Sequence, residues 1–216
     1  MPRKRRLRSY QIGCLTLCCA AIFVYWVASV ILPIITVEAS YQYKLFLKDT
    51  FAVSDIRGLI LPQFHVDLTG ATSRYTQNGI TIPAVFIDEP VVYNVDPNDK
   101  TAYMAALKIG IAHASSTAFP GTGGLGYYFA HSSLPELATK YNAVFYLLGK
   151  LKNGDEIFVW HNGDRFDYNV VDARITKPND LSFLTVRYPK ETIVLQTCWP
   201  PGTTLERLLV FASRTK

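Results

Sequence analysis

One cysteine, Cys198, stands far from the other three, in a stretch that reads IVLQTCWPPGTTLERLLVFAS over residues 193–213. Thr197 precedes it, Trp-Pro-Pro follows it, and Arg207 comes nine residues later at the head of an apolar run. A thiol acts as a nucleophile only as its thiolate, so it needs a base or a cation close by. The candidate bases are His65, His113, His131 and His161. His131 closes the β-like run GYYFA and opens the polar turn Ser132-Ser133, where a rigid sheet would project its ring. His113 follows a helix-forming segment and is the rival. His161 falls at a hairpin tip and is expected to be solvated, and His65 lies in an irregular lead-in. Geometry and pKa must both suit a base, so the residues alone leave His131 and His113 open. Arg207 begins a strand expected to run antiparallel to the one ending at Cys198. A guanidinium there can stabilise an oxyanion or hold a substrate carbonyl. The plain readings beside these are a buried, inert thiol and a surface arginine.

Other chemistries find less support. GTGGLG, residues 121–126, matches the spacing of a dinucleotide-binding loop. Such a loop needs a strand before it and a helix after it, and here Phe119-Pro120 precedes and a β-like run follows. A loop with no nucleotide is expected. Outside residues 14–19 the cysteines and histidines are scattered, with no zinc-like spacing. Asp96-Pro-Asn98-Asp99 reads as a helix-capping turn rather than as calcium ligands. No cofactor or metal is expected.

The elements that would carry these side chains are short. From residue 80 on, β-like runs follow one another: ITIPAVFI, VVYNV, GYYFAH, VFYLLGKL, EIFVW, FDYNVVDARI, TIVLQT and RLLVFAS. Turn residues separate them, as in a barrel or a sandwich. Asn162-Gly163 predicts a tight hairpin, because both residues tolerate positive φ. A helix is predicted over Lys100–Ile109, capped by Asp99 and stopped by Gly110, and a second short one over 135–141.

The N-terminus is of another kind. Arg3, Lys4, Arg5, Arg6 and Arg8 are basic, and residues 10–37 carry no charge. Set those five aside from the 22 basic residues, and the remaining seventeen balance the 17 acidic ones. The body of the chain is therefore neutral, which gives no support to nucleic-acid binding. Residues 12–32 as a helix would span about 31 Å, near the thickness of a bilayer's hydrocarbon core. A membrane anchor is expected, with the basic head cytoplasmic and the rest outside. The division is a basic head over 1–10, a transmembrane helix over 11–36, a stalk or lead-in over 37–78 and a β domain over 79–216. Cys14, Cys18 and Cys19 then lie in the membrane segment as small apolar residues, and Cys198 has no partner for an internal disulfide.

LQTC, residues 195–198, resembles the TLxTC signature of the sortases, with Val194 at the first threonine. The following loop and Arg207 strand, TCWPPGTTLERLLVFA, are similar to that family's active-site element. YYFAHSS resembles its histidine strand, with Ala130 where glycine is usual. The order of the upstream segments matches too, from about Gly79 to Arg214. The resemblance implies a mainly β, sortase-like closed barrel of about eight strands with one or two short helices. It implies a cysteine transpeptidase that cleaves an LPxTG-like sorting signal through a thioacyl-enzyme. Exported proteins bearing such a C-terminal signal would be the substrates, and an amine of the cell wall or of a pilin the acceptor. It assigns the nucleophile to Cys198, the acid and base to His131 rather than His113, the carbonyl-steadying cation to Arg207, and substrate contacts to Thr197. The alternatives are a hydrolytic relative and a non-enzymatic, membrane-tethered binding barrel.

Overall fold

The computed structural model describes residues 3–50, 73–132 and 144–215, and within the first of these the side chains of 14–25 and 35–46. Met1–Tyr43 and Lys44–Lys216 are two compact units. Helix α1, Arg3–Thr50, takes up the first and continues beyond it. Among the described residues no helix is long and apolar enough to cross a membrane. The span expected over 11–36 includes 26–34, whose side chains lie outside the described residues. The short helix expected over 135–141 lies outside them as well.

The remainder is a closed barrel of eight described strands. They are β1 Asn78–Ile82, β2 Ile87–Val95, β3 Ile111–Ala114, β4 Leu125–Phe129, β5 Glu156–His161, β6 Asp164–Thr176, β7 Thr192–Trp199 and β8 Glu206–Arg214. They adjoin in the order β1-β2-β3-β4-β7-β8-β6-β5, and β5 pairs back with β1. Side chains alternate between the two faces of a strand, and closure sorts them into two sets. Ile193 and Leu195 of β7, Leu208, Val210 and Ala212 of β8, and Tyr128 of β4 fill the interior with Ile80, Ile82, Ile157 and Tyr168. Val194 of β7, Leu209 and Phe211 of β8, and Tyr127 of β4 form a second cluster outside. A 3-10 turn over Ser182–Thr185, between β6 and β7, lays Phe183 on that outer cluster.

Local signals explain much of this. Helix α2 spans Lys100–Ile109, and the Asp99 carboxylate accepts from the N–H groups of Thr101 and Ala102, the expected cap. Gly110 ends it for a different reason than a left-handed turn. Its backbone is extended (φ 173°). A Cβ there would lie 2.4 Å from the Pro90 carbonyl oxygen. β5 and β6 are joined by Asn162 (φ 53°) and Gly163 (φ 91°), the predicted hairpin turn. Two readings are corrected. ITIPAVFI is not one strand, because Pro83 opens a 3-10 turn between β1 and β2. VFYLLGKL is not a strand either: Tyr146–Lys150 is a 3-10 helix. Phe145, Leu148 and Leu151 are buried at a spacing of three, the period of that helix.

The GTGGLG loop proves to hold an anion of the chain's own. The Glu191 carboxylate accepts from Gly121 N–H at 2.9 Å and Gly123 N–H at 3.0 Å. It also takes the Tyr168 hydroxyl at 2.5 Å and Arg214 Nη1 at 3.0 Å. Successive N–H groups with the φ of 84°, 77° and 83° at Gly121, Gly123 and Gly124 form an anion-binding concavity, here filled from within.

Candidate active site

β7 and β8 run antiparallel with Cys198 directly opposite Arg207. Directly opposed residues share a face, with Cβ atoms about 4.5–5.5 Å apart. Val194 and Phe211 mark that face as the outer one, so Cys198 and Arg207 stand at the rim of the outer apolar cluster. Cys198 is half-buried. Arg207 Nη1 donates to the carbonyls of Glu206 at 2.9 Å and Thr204 at 3.2 Å, which ties the guanidinium to the β7–β8 loop. Tyr127 of β4 lies in electrostatic reach of both; burial holds its phenol protonated far beyond the ordinary range, against the pull of Arg207.

The third side chain arrives from β4, which lies parallel to β7 with Phe129 beside Gln196. Tyr128 and Ala130 face the interior and Tyr127 the outer cluster; β4 ends at Phe129, and His131 lies half-buried just beyond it. Four hydrogen bonds bracket it. Ala130 N–H donates to the Gln196 carbonyl at 3.2 Å, and Phe145 N–H to the His131 carbonyl at 3.0 Å. The Thr197 hydroxyl donates to the Ala130 carbonyl at 2.9 Å. The Ser132 hydroxyl donates to the Cys198 carbonyl at 2.6 Å. Burial lowers the pKa of His131 below its ordinary 6.5, so the ring is mostly neutral at pH 7. Thr197, expected to touch substrate, is 2% exposed and spends its hydroxyl inside the protein. Its position explains this: residues 193 and 195 face inward, so 197 does too, and 198 faces out.

Trp199, next in β7, packs against the barrel core. Its ring covers Gly149, where a Cβ would meet Cζ3 at 2.7 Å and Cη2 at 2.8 Å. Gly149→Ala must therefore displace the ring beside Cys198. The expected result is a loss of about 1–3 kcal/mol of stability, together with altered Cys198 alkylation; thermal melts and a labelling time course read the two.

The other histidines sit elsewhere. His113 is fully buried in β3. Its Nε2–H faces the Ala118 carbonyl at 3.1 Å, while Nδ1 accepts weakly from Asn94 N–H at 3.5 Å. Phe119 stacks on His113 at 5.0 Å and on His161 at 5.3 Å, and Tyr93 packs on both imidazoles. His161, expected to be solvated at a hairpin tip, is thus the half-buried last residue of β5. Burial lowers the pKa of His113 below 6.5. The unfolded chain then binds the extra proton first, so this residue's contribution is complete above pH 7 and is lost as pH falls from about 6.5 toward the folded value. His113 should make stability fall on acidification through that window, by at most about 1.4 kcal/mol per pH unit, and the melting temperature with it. His113→Gln should flatten the profile; an unchanged slope in the variant would mean that other groups set it.

Fold and side chains together define a closed β-barrel with a thiol opposite a guanidinium across β7 and β8, and a histidine on the segment that leaves β4 next to them. Residues 80–215 match the family model described as the sortase domain, and the chain belongs to the sortase family. It is similar to sortase D of Bacillus subtilis (strain 168), 25% identical over 138 residues, which covers 62% of each chain. The chain thus spans about three fifths of the length of that curated relative. Among solved structures it resembles sortase A from Corynebacterium diphtheriae, with 29% identity, TM-score 0.54 and coverage of 68% of this chain and 63% of that one. It also resembles sortase C-1 from Actinomyces oris, with 27% identity, TM-score 0.53 and coverage of 64% and 71%.

Proposed function

We propose that this protein is a membrane-anchored cysteine transpeptidase acting on exported proteins that carry an LPxTG-like sorting signal. The observation that carries the reading is the juxtaposition of Cys198 with Arg207 across β7 and β8, with the His131 segment tied to the Cys198 carbonyl through Ser132. In the reaction, His131 takes the Cys198 proton as the sulfur bonds to the acyl carbon of the substrate amide. Arg207 steadies the oxyanion that forms. The C–N bond breaks as His131 gives a proton to the departing amine, which leaves a thioester. An incoming amine of the cell wall or of a pilin then loses its proton to His131 and displaces the thiolate. Attack by water in place of the amine yields hydrolysis. The anchor is supported by the basic head and by α1, where Leu15, Leu17, Ile22, Phe23 and Val24 are all exposed. In that topology the barrel faces outward, where exported substrates emerge.

The test is incubation of the full chain with a library of LPxTG-type peptides, with and without an amine acceptor, and mass spectrometry of the cysteine-containing fragments. A thioacyl adduct on Cys198 that is discharged by the amine is the expected result. Absence of an adduct with every peptide would overturn the reading, and discharge by water alone would restrict it to a hydrolase.

A further inference from the structure

The ladder between β4 and β7 ends beside Cys198 in an unusual way. Ala130 N–H donates to the Gln196 carbonyl. In a regular parallel ladder the next donor, two residues on, is the main-chain N–H of residue 132, and its acceptor is the carbonyl of residue 198. Here the side-chain hydroxyl of Ser132 occupies that acceptor, at 2.6 Å. Ser132 is fully buried. A main-chain bond at this step would keep residue 131 flat in the sheet. A hydroxyl reaches the same carbonyl from a backbone that has already turned away, so the acceptor stays satisfied while His131 leaves the strand. Phe145 N–H holds the His131 carbonyl at 3.0 Å from the far side of the connection.

We propose that Ser132 is a positioning residue: its hydroxyl pins the departing His131 segment to the carbonyl of the nucleophile itself, and so sets the imidazole against the sulfur. Thr197 does the reciprocal job, since the residue before the cysteine holds the carbonyl before the histidine. This inference rests on the transpeptidase reading, because it assigns a task to the Cys198–His131 pair.

The experiment uses the full chain and reads Cys198 alone, by peptide-level mass spectrometry of iodoacetamide alkylation between pH 5 and 9. His131→Ala, Ser132→Ala, Ser132→Thr and Ser132→Val are compared with the parent. Ser132→Ala should move the rate–pH profile toward that of His131→Ala, with a fall of roughly tenfold at pH 7. Ser132→Thr should stay within about threefold of the parent, and Ser132→Val, of the same shape without the hydroxyl, should follow alanine. If Ser132→Ala does not fold, the threonine–valine pair decides by the same criterion. A parent-like profile in the alanine or valine variant, beside an altered His131→Ala, overturns the positioning role alone. A parent-like profile in His131→Ala instead removes the transpeptidase reading, and the role of Ser132 falls with it. With a cleavable peptide, the effect should appear in kcat with KM nearly unchanged.

Discussion

Cys198→Ala should abolish the thioacyl adduct and lower peptide turnover by roughly 10⁴-fold or more, since Cys198 is the one thiol among the described residues of the barrel. His131→Ala should cost about 10²–10⁴-fold through lost proton transfer. Arg207→Ala should cost about 10²–10³-fold through lost charge stabilisation. Groups that act on one amide do not lose activity independently, so the Cys198–His131 double variant should be scarcely worse than Cys198→Ala. Arg207→Lys keeps the charge, but a compact ammonium lacks the planar guanidinium that Nη1 anchors to the Thr204 and Glu206 carbonyls while its other nitrogens remain for an oxyanion. A deep loss with lysine is therefore expected. Single-turnover assays with a fluorogenic peptide measure all of these. Activity retained in Cys198→Ala would end the assignment of the nucleophile.

The largest effect on stability is expected at Glu191. Its removal takes an acceptor from the Tyr168 hydroxyl, from the exposed Gly121 and Gly123 N–H groups and from the Arg214 guanidinium. Water can take over at the exposed glycines, so the cost rests mainly on the buried Tyr168, about 1–3 kcal/mol. Glu191→Ala should lower the denaturation midpoint accordingly, and Glu191→Gln should lose less because one acceptor oxygen remains. Burial opposes the charge of Glu191. The hydrogen bonds from Tyr168, Gly121 and Gly123 and the nearby Arg214 outweigh it and hold the carboxyl below its ordinary 4.5. The stability it confers is present above about pH 4.5 and is lost as pH falls through the folded value. The glutamine variant should lack that acid limb. A variant that melts like the parent at neutral pH would show that the glycine loop holds its shape without the carboxylate.

Elements with a local cause were legible in the sequence. Asp99 caps α2 through its own neighbours, and Asn162-Gly163 supplies the positive φ that its tight turn needs. The 3-10 helix over Tyr146–Lys150 was missed because a short apolar run does not declare its period. Spacing of the strands left barrel and sandwich equally open; the family resemblance pointed to the barrel. Glu191 gave no signal, since its glycine partners lie about 70 residues away in the chain. Thr197 could have been placed correctly: strand alternation turns it inward whenever Cys198 turns outward. Ser132 stood in plain view as part of a polar turn, but its contact with residue 198 depends on where β4 leaves the sheet.

Closure of the barrel bears on how an extended peptide can be held. Among the described strands the first and last are bonded to each other, so where the sheet is fully paired no flank is open along which a guest chain could align its own amides. Short exceptions include residues 171–176 of β6, which run past β5, and residues 197–199 of β7, which run past β4, where the Cys198 carbonyl already takes the Ser132 hydroxyl. Generic backbone pairing, which would accept almost any sequence, is confined to such stretches. On the proposed function, discrimination then falls largely to the guest's side chains.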